Sequence, residues 1–126
     1  MLALDTNVLL RLLARDDLKQ AAAADAAVAK GAWVSQLVLA ECMWVLDAVY
    51  ERTPKQLITA LELLLAHEHL VLQDADAVAA AVAQFRARPA LGFSDCLVLE
   101  IARKAGHLPL ATFDKALGRL AGAQRL

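Results

Sequence analysis

Short apolar runs set at helix-length intervals are the strongest constraint on this chain. Met1–Leu4 stops at Asp5, Ala32–Val34 stops at Ser35, and Leu70–Leu72 is followed by Asp74. A further run, Leu108–Thr112, comes late, with Pro109 tolerable only near its beginning or at a sheet edge. Runs this brief, bounded by polar residues, read as buried strands. Strands that alternate with helices imply a parallel sheet covered on both faces. The expected fold is therefore α/β: one domain over residues 1–126, with a mainly parallel central sheet of about four to five short strands flanked by helices.

The stretches between the runs carry helix punctuation. Asp16–Asp17 can cap a helix that stops at Lys30–Gly31, and Ser35 can cap one from Gln36 to about Tyr50. Thr53–Pro54 opens another that ends near Ala66. Asp74 precedes a helix whose apolar face is Val78, Ala81, Val82 and Phe85. Arg86 to Phe93 reads as a loop, after which Ser94 is expected to cap a helix closed by Gly106. A last helical turn near Asp114–Leu120 leads to a short tail. Composition agrees, because 28 Ala and 25 Leu, both strong helix formers, dominate the 60% apolar content.

Several function classes are excluded or disfavoured. The longest uncharged stretch, Gly31–Ala40, has ten residues, whereas a membrane span needs roughly 20 apolar ones. Asp5, Arg11, Arg15, Asp16 and Asp17 break up any leader core near the start, so a cytoplasmic protein is expected. Cys42 and Cys96 then read as reduced, buried thiols. Thirteen cations against 14 acids give a net charge of −1, without the basic excess usual in nucleic-acid binders. Action on RNA or DNA must come from local features or a bound cation. No glycine loop suits a nucleotide phosphate. His67, His69 and His107 lack metal spacing and are expected at the surface, and Trp33 and Trp44 are expected in the core.

Four acids stand out. Asp5 follows the first strand and Asp114 the last, at the carboxyl ends where open parallel sheets collect ligands. Glu41 falls between Leu37 and Val45 at i+4 spacing, on what reads as the buried stripe of its helix. Asp95 opens a helix whose inward stripe reads as Val98, Leu99 and Ala102, while Glu100 looks like surface decoration paired with Lys104. Any one of them has a bland account, since each strand-end acid can simply cap the next helix. If all four converge, their repulsion calls for a divalent cation. Oxygen ligands without His or Cys suit Mg²⁺ or Mn²⁺.

Leu4-Asp5-Thr6-Asn7-Val8-Leu9, Glu41 after Ser35-Gln36-Leu37, Gly92-Phe93-Ser94-Asp95 and Thr112-Phe113-Asp114-Lys115 together resemble the PIN-domain nucleases. The short form resembles the VapC-type toxins of bacterial toxin–antitoxin pairs. The resemblance implies a PIN-like fold and an endoribonuclease that hydrolyses RNA phosphodiesters with metal-activated water, using Mg²⁺ or Mn²⁺. It implies Asp5 and Asp95 as principal metal ligands, with Glu41 and Asp114 completing the catalytic acidic pocket. Thr6, Asn7, Ser94 and Thr112 would be supporting polar groups. It also implies a homodimer and a small antitoxin partner; the apolar belt Leu57, Ile58, Leu61, Leu63, Leu64 and Leu65 either offers a surface for them or belongs to a helix buried on two sides within its own fold.

Arg11, Arg86, Arg88 and Lys115 are candidate contacts to RNA phosphates. The alternative to catalysis is a PIN-like or receiver-like binding module whose acidic pocket takes a cation or a partner's arginine. A phosphohydrolase with Asp5 as nucleophile wants a second acid two residues on, and Asn7 stands there instead.

Overall fold

A computed structural model describes residues 1–126 throughout. The chain forms two compact units, Met1–Ala75 and Asp76–Leu126. The fold is mixed α/β with every strand pair parallel, and no helix is long and apolar enough to cross a membrane.

The first unit holds β1 (Leu2–Ala3), α1 (Thr6–Ala14), α2 (Leu18–Ala29), β2 (Ala32–Val34), α3 (Gln36–Ala48), α4 (Pro54–Ala66) and β3 (Leu70–Leu72). Its sheet runs β1-β2-β3, with Leu2 beside Ala32, and Ala32 in turn beside Leu70. Because the strands are parallel, their carboxyl ends at Leu4–Asp5, Ser35 and Gln73 share one edge.

The capping residues read from the sequence act as such. Asp17 accepts the Gln20 N–H at 3.0 Å and Ser35 the Val38 N–H at 3.1 Å. Thr53 and Gln56 exchange bonds at 2.9 and 3.2 Å in a capping box. Leu9 and Leu10 of α1, Leu39 and Leu46 of α3, and Leu61 of α4 form the interior, each worth about 1.5–3 kcal/mol when fully buried. The belt on α4 is largely consumed there: Leu57, Ile58, Leu61 and Leu64 are buried, and Leu63 is exposed.

The second unit is built on α5 (Ala75–Ala87), a 3-10 turn at Pro89–Leu91, α6 (Phe93–Ala105), β4 (Leu110–Thr112), a 3-10 turn at Leu117–Arg119, and β5 (Ala123–Arg125). The predicted face of α5 is the buried one, and the Phe85 and Phe93 rings meet with centroids 6.4 Å apart. The parallel strands thus number five, divided into a sheet of three and a pair, β4-β5. The expected tail is β5, which Ala-Gln-Arg does not advertise as an apolar run. β4 begins at Leu110, past Pro109, whose nitrogen has no proton to give.

Two expectations for α6 need correction. Ser94 does not cap it: the helix starts at Phe93, Gly92 is its N-cap with φ of 80°, and Ser94 lies inside the first turn. That backbone angle suits glycine and few other residues. The buried face is Phe93, Cys96, Leu97, Leu99 and Glu100, whereas Val98 is exposed. Glu100 is consequently no surface ornament. It is only 7% exposed, and its carboxylate accepts the Arg103 Nε–H at 3.1 and 3.2 Å. Lys104 reaches Asp76 at 2.7 Å.

Candidate active site

Asp5 stands at the exit of β1 and caps α1, its Oδ1 accepting the Val8 N–H at 3.0 Å. The bond fixes one carboxylate oxygen and leaves the side chain exposed at the sheet edge. A groove of about 310 Å³ opens beside it, lined by Asp5, Asn7, Val8 and Arg11 of α1 and by Gln20 and Ala24 of α2. The alanines of α2 give it an apolar wall. Asn7 is exposed and Thr6 half-buried, so both polar neighbours stay near the acid.

Arg11 is held in this groove by its own neighbours. Its Nε donates to Gln20 at 2.7 Å, and Nη1 donates to Asp16 at 3.0 Å and to the Tyr50 hydroxyl at 3.1 Å. The Tyr50 bond, ahead of the Asp16 charge, raises the guanidinium pKa. The cation is oriented before any ligand arrives, at the cost of sharing its charge with Asp16.

Glu41 is not on the buried stripe of α3. That helix buries Leu39, Cys42, Met43 and Leu46, and Glu41 faces out on the opposite side with Leu37 and Trp44. Trp44, expected in the core, is 63% exposed. The sequence could not choose between the two faces because α3 carries apolar residues almost all the way round. Cys42, next to Glu41, is fully inside, and burial followed by the Glu41 charge pushes its thiol up to about 12.

Gln36 opens α3 at the exit of β2. Its backbone N–H donates to the Gln73 side chain at 2.9 Å, while its own Nε2 is buried without a partner. Sequence reasoning passed over this residue, since a lone Gln carries no motif.

In the second unit Asp95 lies in the first turn of α6 and Asp114 just beyond β4. Partial burial, then the charge of Asp114, raises the Asp95 pKa. The two carboxylates are therefore electrostatic neighbours. Asp114 is held in place twice: its N–H donates to Thr112 Oγ1 at 3.0 Å, and its Oδ1 accepts the Leu117 N–H at 2.7 Å. Thr112 thereby sets the turn that presents Asp114. Ser94 is exposed one residue before Asp95.

Lys115, Arg86 and Arg88 are all exposed; Arg86 belongs to the last turn of α5 and not to a loop. Arg125 escaped the sequence reading, but pairing of β4 with β5 sets it beside Thr112. Gly118 makes room for it, since a Cβ there would meet the Arg125 Cβ at 2.8 Å. Burial, then the Asp95 and Glu100 charges, pushes the Cys96 thiol up to about 11. His67, His69 and His107 are exposed as expected.

Each unit thus carries two of the four acids. Within either unit no group of three or more His, Cys, Asp or Glu side chains stands close enough to hold a metal ion. The donor chemistry nonetheless fits a hard divalent cation. All four candidates are carboxylates, no thiol or imidazole competes, and the repulsion between Asp95 and Asp114 is what a cation relieves.

Asp5 and Asp114 each stand just past the carboxyl end of a parallel strand, the position where open α/β sheets collect ligands. The family model of the PIN domain matches residues 2–123, and the chain belongs to the PIN-domain family. PIN domains are in general nucleases, which act on nucleic acids with divalent metal ions. No curated protein and no solved structure matches the chain significantly.

Proposed function

We propose that the protein is a Mg²⁺- or Mn²⁺-dependent endoribonuclease, the toxin of a toxin–antitoxin pair. The observation that carries the catalytic part is the placement of Asp95 in the first turn of α6 and Asp114 just past β4, close enough for the charge of Asp114 to raise the Asp95 pKa. By the family resemblance Asp5 and Asp95 would be the metal ligands, with Glu41 and Asp114 as the further catalytic acids. When bound, a divalent cation lowers the pKa of water and neutralises charge on the phosphoryl group. Thr112 keeps Asp114 presented through the 3.0 Å contact to its N–H, and Asn7 offers an exposed amide beside Asp5. Arg11, Arg86, Arg88 and Lys115 supply cations for the RNA backbone. No side chain is needed as nucleophile: Cys42 and Cys96, the only thiols, are buried and stay protonated at neutral pH. Hydrolysis leaves a 5′-phosphate and a 3′-hydroxyl.

A second groove of the first unit, about 380 Å³, supports the antitoxin reading. Leu13, Leu46, Leu57 and Leu63 give it an apolar floor, and Arg52 and Lys55 flank it. A peptide segment with apolar and acidic side chains matches that lining. The working form is a cytoplasmic homodimer.

The test is cleavage-site mapping on total cellular RNA by purified protein, with and without Mn²⁺. Metal-dependent cuts that disappear in Asp5→Asn and Asp95→Asn are expected. Full activity in either variant, or in excess EDTA, overturns the reading.

A further inference from the structure

The groove beside Asp5 holds more hydrogen-bonding capacity than the fold uses. Arg11 Nε donates to Gln20 Oε1 at 2.7 Å, and Nη1 donates to Asp16 and to the Tyr50 hydroxyl, which leaves Nη2 without a partner. A guanidinium only donates, so the Gln20 atom it meets is the carbonyl oxygen, and the Nε2 amino group is the free one. Arg11 Nη2 and Gln20 Nε2 are therefore two spare donors, tied together by the 2.7 Å contact, on residues that both line the groove. Asn7 lines it too, with a side-chain amide that neither gives nor takes a hydrogen bond. Val8 and the alanines of α2 supply apolar walls. At about 310 Å³ the groove falls at the small end of ligand pockets, roughly 300–1,000 Å³, a size for one base and not for a peptide or a duplex.

Paired donors ask for paired acceptors, which RNA offers on its phosphates and on the edges of its bases. Charge separates the two. Asp5 stands in the groove and Asp16 lies 3.0 Å from Arg11, so acids outnumber cations around it. A phosphate there meets repulsion, whereas a neutral base edge does not. We infer that the groove is a guanine-recognition pocket, in which Arg11 and Gln20 donate to the O6 and N7 atoms of the base and Asn7 accepts a proton of its opposite edge. The inference rests on the nuclease reading and names the base beside the cut, because Asp5 belongs both to the groove and to the proposed catalytic acids. Arg11, one of the cations offered to RNA, meets it here at a base edge. Guanine carries two adjacent acceptors on one edge, whereas adenine and cytosine turn an amino group toward the donors and uracil has a single carbonyl there. Tyr50 and Asp16 are positioning residues: they fix the guanidinium so that its spare edge is set before the base arrives.

The test titrates the whole chain with a short oligouridylate carrying G, A, C or U at its centre, with Ca²⁺ in place of Mg²⁺ to hold turnover down. The native chain should bind the G strand about tenfold or more tighter than the A strand, the discrimination a two-bond contact supplies. Gln20→Glu is the diagnostic variant. Glutamate keeps an oxygen for Arg11 and suits the first turn of α2, so the fold is retained, but it sets an acceptor where Nε2 was a donor. Its guanine preference should vanish and move toward A or C, whose amino groups can donate to the new oxygen; a uniform loss from the added charge leaves that ratio untouched. Arg11→Met should abolish the preference with the salt dependence of binding unchanged. Equal binding of the four strands by the native chain, or a guanine preference that survives Gln20→Glu, overturns the inference. Arg11→Met that weakens all four strands alike and lowers the slope of log affinity against log salt by about 0.7 also overturns it, and assigns the groove to a phosphate. Metal-dependent cleavage by the native chain in any of these cases leaves the nuclease reading standing, whereas a native chain that neither binds nor cuts RNA defeats both.

Discussion

Asp95 is held above the ordinary aspartate range by partial burial and by the neighbouring charge of Asp114. A carboxyl group with a raised pKa in the folded state contributes stability that is fully present below its unfolded pKa and is lost as pH rises through the folded one. At neutral pH without divalent metal, Asp95→Asn should therefore raise the melting temperature. The gain should vanish on acidification below the normal aspartate range. Added Mg²⁺ should stabilise the native chain more than the variant. Thermal melts across pH, with and without Mg²⁺, check both signs.

Asp5 does two jobs that a pair of substitutions separates. Asn caps a helix as well as Asp does, so Asp5→Asn should keep the bond to Val8 and the stability of α1. Asp5→Ala should lose about 1 kcal/mol. Both should lose cleavage by at least about a hundredfold, because neither offers a charged metal ligand. Denaturant titration beside a cleavage assay reads the two effects apart.

Glu100 is buried on α6 with Arg103 one turn away, and Arg103 Nη2 also donates to the Ala121 carbonyl at 2.8 Å. Removing one partner of such a pair leaves the other desolvated. Arg103→Met should cost roughly 1–3 kcal/mol, below the value for a fully enclosed pair because Arg103 is partly in water. Glu100→Gln should be milder. Equilibrium unfolding of the two variants gives the ordering.

Tyr50 ties α3's end to the loop between α1 and α2. Its hydroxyl, ahead of the Arg11 charge, lowers the Asp16 pKa. A carboxylate with a depressed folded-state pKa adds stability above its unfolded pKa and loses it as pH falls through the folded one. Tyr50→Phe should be less stable than the native chain at neutral pH, and the difference should shrink toward the acid end of the scale. Substrate affinity should also fall, because Arg11 loses one of the groups that orient it. Unfolding curves against pH and an RNA-binding titration measure the two.

What was legible in the chain was local. Ser35, Thr53 and Asp17 announced helix starts because a cap needs only its own side chain and an N–H a few residues on. The three strands of the first unit, and the inward face of α5, followed from short apolar runs and a clean helical period. The family followed from the same residues in order, and the match over residues 2–123 bears it out.

The sequence by itself determined which residues could cap, extend or carry charge. Only the tertiary structure decided which way α3 and α6 turn. Both helices are apolar on more than one side, and rotation is settled by the partners they pack against, so Glu41 and Trp44 face out while Glu100 goes in. β5 exists because Ala123–Arg125 finds β4 to pair with, a contact between distant backbone groups that no side-chain pattern records. The electrostatic link between Asp95 and Asp114 is of the same kind, since field strength depends on distance through space and not along the chain.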